Sequence, residues 1–204
     1  AFTGITRTFW SGSFHAALSP GSMCTVSFIP QSNTYFITSN RDESPSRRSA
    51  GLTSKHLAGA NSIHFPIDEL SGGSWIALSD TGRVFCLLNG AYEAFILNPS
   101  YRLSRGVVVS EATQAADIDS FLSDFDLQGI APFTMLIFER GSFRQLIWDG
   151  SKKDIFSLPI DRPQIWSSVT LYPAHIRALR KSLFEKWIKE NTIFDRESIL
   201  QFHQ

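Results

Sequence analysis

A cysteine directly after a methionine, Met23-Cys24 in the stretch SMCTVSFI, is the residue of this chain best suited by type and position to act as a nucleophile. If translation begins at Met23 and the methionine is trimmed, Cys24 carries both a thiol and an unblocked α-amine. That amine, with an ordinary pKa of ~7.7–8.0, is a general base within reach of the thiol. A thiol of ordinary pKa ~8.5 attacks a carbonyl well only with a base beside it or as the thiolate, and a guanidinium a few ångströms away favours the thiolate. Arg41, in Asn40-Arg41-Asp42-Glu43, supplies such a cation, and Asp42 supplies a carboxylate to hold the amine or the arginine. The alternative is a polar turn whose charges pair in water, each pair worth ~0–1 kcal/mol. Asn89 closes the apolar run Val84-Phe85-Cys86-Leu87-Leu88. Its amide, with the N–H of Gly90, would stabilise an oxyanion, whereas Asn-Gly by itself is a turn dipeptide. Cys86, inside that run, reads as a small buried hydrophobe. His56, His64, His175 and His203 show no metal-ligand spacing and no glycine-rich phosphate loop occurs, so neither a metal nor a nucleotide cofactor is expected.

The elements that would position these residues read as strands first and helices later. Cys24 to Ile29 and Thr34 to Thr38 are β-branched and aromatic runs separated by Pro30-Gln31-Ser32-Asn33, a hairpin signal that brings Cys24 close to the end of the second strand. The polar stretch from Ser39 to Asn61 carries no element signal. Asp80-Thr81-Gly82, between Trp75–Leu78 and Arg83–Leu88, marks a second hairpin. Phe133–Phe138 and Phe143–Trp148 make a third, and Gln164–Leu171 a further strand. Ile118, Phe121, Leu122 and Phe125 follow helical spacing, as do Ile176, Leu179, Leu183, Phe184, Trp187 and Ile188, with Pro173 suited to the first turn of that second helix. A third helix starts near Asp195. Hairpins with helices laid on their faces predict a layered α+β domain.

Composition bounds the rest. A chain of 204 residues, 43% hydrophobic, buries a sizeable core, and residues 23–204 are expected to form one domain. Residues 1–22, which include Ser11, Ser13 and His15 within their apolar part, make a poor signal peptide and are read as an extension or propeptide outside the fold. Lysine plus arginine and aspartate plus glutamate balance at 19 each, which offers no general field for nucleic acid. No apolar run approaches the ~20 residues that span a bilayer. Two cysteines are too few for a disulfide scaffold and suit a reducing, cytoplasmic setting, although a single Cys24–Cys86 bridge stays open.

Taken in order, MCTVSF, YFITSNRDES, GGSWIALSDTGRVFCLLN and YRLSRG resemble the NRDE-motif family, also called the Transport and Golgi organisation protein 2 family. The resemblance is strongest from Met23 to about Gly106 and returns at WSSVTLY. It implies an Ntn-hydrolase-like αββα sandwich of antiparallel sheets with flanking helices, here without closing strands after Gln204, so that a shortened C-terminus is expected. It further implies that Cys24 is the nucleophile of a hydrolase acting on a linear amide, that Arg41 and Asp42 orient and tune it, and that Asn89 contributes to the oxyanion hole. Asn40, Trp75 and Ser168 are expected to bind substrate. The pattern departs at Asp42, which follows Arg41 at once where related amidases place the aspartate a few residues later, and at Ser167-Ser168, where the family has Ser-Asn. The family's cellular description, Golgi organisation and lipid or haem handling, implies the alternative of a non-catalytic trafficking or binding factor for an apolar ligand.

Overall fold

In the computed structural model, the described residues are 6–9 (backbone only), 24–32, 34–41, 48–56, 62–95, 100–139, 141–170 and 173–203. In chain order they form β1 (Thr6–Phe9), β2 (Thr25–Gln31), β3 (Thr34–Asn40), β4 (Ser49–His56), β5 (Ser62–Asp68), β6 (Ile76–Ser79) and β7 (Val84–Asn89). There follow α1 (Arg105–Gln114), α2 (Ile118–Asp124), β8 (Phe133–Glu139), β9 (Ser142–Trp148), β10 (Lys153–Leu158), β11 (Gln164–Ser167), α3 (Ala174–Glu190) and α4 (Arg196–Phe202). The chain divides into two compact units, Ala1–Glu43 with Ile160–Gln204, and Ser44–Pro159.

The first unit is a four-stranded sheet in the order β1-β3-β2-β11, with α3 and α4 on one face. Strands β2 and β3 form the hairpin expected, each extended further than the apolar runs alone indicated, so that Thr25 pairs with Asn40 and Gln31 with Thr34. Residues 6–9, in the segment read as an extension, run parallel to β3. Because side chains alternate along a strand, Thr25, Ser27 and Ile29 share one face with Asn40, Thr38 and Phe36, while Cys24, Val26 and Phe28 share the other with Arg41, Ser39 and Ile37. The first of these faces carries the helices: Ile29 and Phe36 pack with Phe184, Phe194 and Ile199. Trp187 stacks on Phe202 at 4.8 Å between ring centroids.

The helical face of α3 differs from its expected one at two positions. Leu179 and Leu183 are 55% and 51% exposed; Phe184 is buried, and Ile176, Arg180, Trp187 and Ile188 are half-buried beside it. The reason lies in the sheet beneath it. Near the β2–β3 turn the sheet face is apolar, but towards Cys24 it presents Thr25, Ser27 and Thr38, all buried, and the helix matches it there with arginine rather than leucine. Pro173 takes the N-cap position of α3, one step outside the first turn. Asp195 caps α4 in a reciprocal capping box with Ser198.

The second unit is a seven-stranded antiparallel sheet in the order β10-β9-β8-β7-β6-β5-β4. The Asp80-Thr81-Gly82 and Glu139–Ser142 hairpins are as expected, with Gly82 and Gly141 at φ 80° and 78°, the left-handed region those tight turns need. Strands β4, β5 and β10 and helix α1 carried no recognised sequence signal; β4 lies inside the stretch read as element-free, and β5 begins directly after it. Helix α1 begins in YRLSRG, capped by Ser104, and meets GGSW backbone to backbone. A Cβ on Gly73 would lie 2.5 Å from the Gly106 carbonyl carbon, and one on Gly106 would lie 2.9 Å from Ser74 N. Two of the sequence motifs therefore meet where neither can carry a side chain. Gly73→Ala or Gly106→Ala is expected to destabilise the fold by about 3 kcal/mol, the upper end for overpacking, read as a lowered urea midpoint at unchanged slope. An unmoved midpoint in both would refute this close contact.

Candidate active site

Cys24 precedes the first residue of β2, and its position follows from hydrogen bonding on both sides. The pairing of Thr25 with Asn40 puts Cys24 and Arg41 next outward, across from one another, on the face of the sheet opposite α3 and α4. On the other side, Thr25 pairs with Ser167, and Ser168 N donates to Cys24 O at 2.9 Å. Cys24, Arg41 and Ser168 are thus held at one end of three neighbouring strands. Cys24 is 7% exposed and Ser168 fully buried, with the Ser168 hydroxyl 3.2 Å from that of Thr170. Asp42 and Glu43 lie outside the described residues.

Asn40 has a different setting from the one expected of a substrate ligand. Its side chain is on the helix-bearing face, where Nδ2 donates to His203 O at 2.6 Å. His203, the C-cap of α4, sits against Ser27, with Nε2 2.7 Å from Ser27 Oγ. Arg180 donates to Thr25 Oγ1 at 3.0 Å. Burial, with the nearby Arg180 charge, pushes the His203 imidazole down to about 4, so it is neutral at physiological pH. Sequence reasoning tested the histidines only for metal spacing and missed this one; the signal was a histidine at the end of a predicted amphipathic helix, a place where cations and polar caps gather.

Trp75 and Asn89 belong to the second unit. Trp75 is buried, and its carbonyl accepts from Leu87 N at 2.8 Å. Asn89 ends β7 in one cross-strand row with Phe133, Trp148 and Lys153. That row is on the face that carries α2, since Lys153 Nζ donates to Ser123 O and Trp148 Nε1 to Ile130 O. The N–H of Gly90, considered above as a second oxyanion donor, is engaged with Pro132 O at 3.1 Å. Cys86 is buried mid-strand, its thiol pushed up to about 12 by burial, and is inert at neutral pH. Both cysteines are thiols, so the bridge left open by the sequence is not formed. Among the described residues no cluster of His, Cys, Asp or Glu has the arrangement of a metal site. Ser54, His64 and Asp80 do form a hydrogen-bonded chain, 2.8 and 2.9 Å, but on the exposed surface of β4 and β5, where such pairs contribute little.

Comparison with solved structures defines the class first. The N-acylethanolamine-hydrolyzing acid amidase ortholog of Caenorhabditis elegans superposes with a TM-score of 0.62 at 10% identity, over 88% of this chain and 85% of that one. The chain therefore has an Ntn-hydrolase-type α+β fold of antiparallel sheets and helices. Penicillin V acylase from Agrobacterium tumefaciens matches less well, with a TM-score of 0.39 at 9% identity over 84% of this chain and 51% of that one. Comparison with curated protein sequences returned no match. The sequence pattern described as Transport and Golgi organisation 2 matches residues 23–200, and the chain belongs to that family.

Proposed function

We propose that this protein is a cysteine N-terminal nucleophile hydrolase that cleaves a linear amide of a small molecule. The observation that carries the reading is the start of the family match at residue 23, one residue before a cysteine that directly precedes a strand and lies across from an arginine. In the reaction, the α-amine of Cys24 takes the thiol proton and the sulfur attacks the amide carbonyl carbon. The tetrahedral oxyanion is stabilised by the side-chain amide of Asn89. The amine then returns the proton to the leaving nitrogen, the C–N bond breaks, and water delivered by the same amine hydrolyses the thioester. Arg41 favours the thiolate and Asp42 orients the amine. In this reading Trp75 and Ser168 bind substrate.

The base exists only where Cys24 N is not in a peptide bond, so residues 1–22 act in this reading as an extension or propeptide whose absence switches the site on. The two thiols support a reducing, cytoplasmic setting; among the described residues no helix is long and apolar enough to cross a membrane. Intact mass with N-terminal sequencing of protein purified from cells tests the reading. A chain beginning at Cys24 that releases fluorophore from one of a panel of N-acyl aminocoumarins supports it, and a chain retaining the Met23–Cys24 bond in every cellular preparation sinks it.

A second reading, a non-catalytic trafficking or binding factor for lipid, haem or another apolar ligand, is favoured by one observation. Gly90 N–H is already committed to Pro132, which leaves the oxyanion hole one donor short of a pair. Under that reading Cys24→Ala retains the ligand and loses nothing.

A further inference from the structure

We propose that the polar end of the α3–α4 layer is a positioning device for the nucleophile: Arg180, through Thr25, and Asn40, through the carbonyl of His203, hold the ends of β2 and β3 so that Cys24 stays opposite Arg41. The inference rests on the reading of Cys24 as nucleophile and assigns Asn40 a positioning role in place of a substrate contact.

The placement of the bonds carries it. Arg180 grips Thr25, the residue directly after Cys24, and the Asn40 amide grips His203 O from the residue directly before Arg41. His203 is itself moored to Ser27, one step further along the same face of β2. All three bonds fall at one end of a helix–sheet interface whose other end is built from Ile29, Phe36, Phe184 and Phe194. Adhesion alone would be served more cheaply by continuing that apolar packing. A half-buried arginine gives up side-chain entropy and hydration, and a buried polar face needs partners for every group. Here the matching is incomplete, since Thr38 Oγ1 and Asn40 Oδ1 on the same face and His203 Nδ1 have no hydrogen-bond partner among the described residues. Directional bonds do what apolar packing does not: they fix a strand end that would otherwise fray. The attraction between a thiolate and a guanidinium falls with distance, so fraying there would raise the cysteine's ionisation midpoint.

The test is the pH profile of Cys24 alkylation by iodoacetamide in the full 204-residue chain, read by peptide mass spectrometry with buried Cys86 as the unreactive internal control. Arg180→Ala and Asn40→Ala are each expected to move the midpoint up by about one pH unit, a tenfold change in ionisation constant. Arg180→Lys, which keeps a donor and the charge, should recover most of the shift. Thr25→Val removes the same bond from the other partner while leaving the arginine in place, and should reproduce Arg180→Ala even if that variant fails to fold. Trp187→Leu loosens the helix layer away from these bonds and should lower the unfolding temperature without moving the midpoint. A wild-type midpoint well below ~8.5 with unshifted variants overturns positioning and leaves the nucleophile reading standing. A wild-type midpoint near ~8.5 shared by all variants overturns positioning and, with it, the role of Arg41 in favouring the thiolate. A shift that Trp187→Leu reproduces reduces the clamp to ordinary packing.

Discussion

Cys24→Ser, in protein whose chain begins at residue 24, is expected to reduce amide turnover by a factor on the order of 10⁴ or more, as loss of a nucleophile does in other acyl-transfer enzymes, while leaving the unfolding temperature within a degree or two of wild type. The two halves of that expectation have separate causes. Serine keeps the size and the backbone hydrogen bond from Ser168 N to the carbonyl of residue 24, so the strand end is undisturbed. A hydroxyl, however, is a far weaker acid than a thiol, and Arg41 cannot make it an anion at neutral pH. Turnover should therefore collapse through kcat, with KM little changed, because binding of the ground state does not use the sulfur. Asn89→Ala offers a graded companion: loss of an oxyanion donor typically costs ~10²–10³ in kcat. If Cys24→Ser hydrolyses the same amide at the wild-type rate, the nucleophile lies elsewhere in the chain.

How much of this was legible beforehand depended on whether a residue's role is local. The β2–β3 hairpin, the Asp80-Thr81-Gly82 turn and the apolar stripe of α2 were readable because pattern and turn chemistry act over a few residues. Strand β4 was not, because as an edge strand it is largely exposed and its SAGLTSKH lacks the alternation that half-burial imposes. Helix α1 escaped because its glycine is required by contact with Gly73, more than thirty residues away, and a helix opening on Arg-Gly has little propensity of its own. The same distinction runs through the site. Cys24 and Arg41 were found from a short hairpin, whereas Arg180 and His203 reach the strand ends across 155 and 176 residues of sequence, and in α3 the half-buried arginine lies on the sheet side while Leu179 and Leu183 are exposed.

His203 also makes stability depend on pH. Its imidazole is held at about 4 in the folded protein by burial and by Arg180, against ~6.5 in an unfolded chain. Between those values the unfolded state binds a proton that the folded state refuses, so stability is fully present above ~6.5, falls as the pH drops through that window, and has lost this contribution by about 4. The depression corresponds to about 3 kcal/mol. The groups around the ring offer no relief: Ser27 Oγ is neutral, Arg180 repels, and the neighbouring contact from Asn40 is to the backbone carbonyl rather than to the ring. Carboxylates whose pKa is lowered by hydrogen bonds, such as Asp117 and Asp195, lose their own contribution only as the pH falls further, through their ordinary range and below it, and they do so equally in any His203 variant. The comparison to make is urea unfolding of wild type and His203→Gln at pH 7.5 and 4.5. Glutamine can keep a hydrogen bond to Ser27 and cannot charge, so wild type is expected to lose about 2–3 kcal/mol more than the variant between the two pH values. Equal losses would mean that His203 protonates in the folded protein as readily as in water, and that the helix layer opens around it without cost.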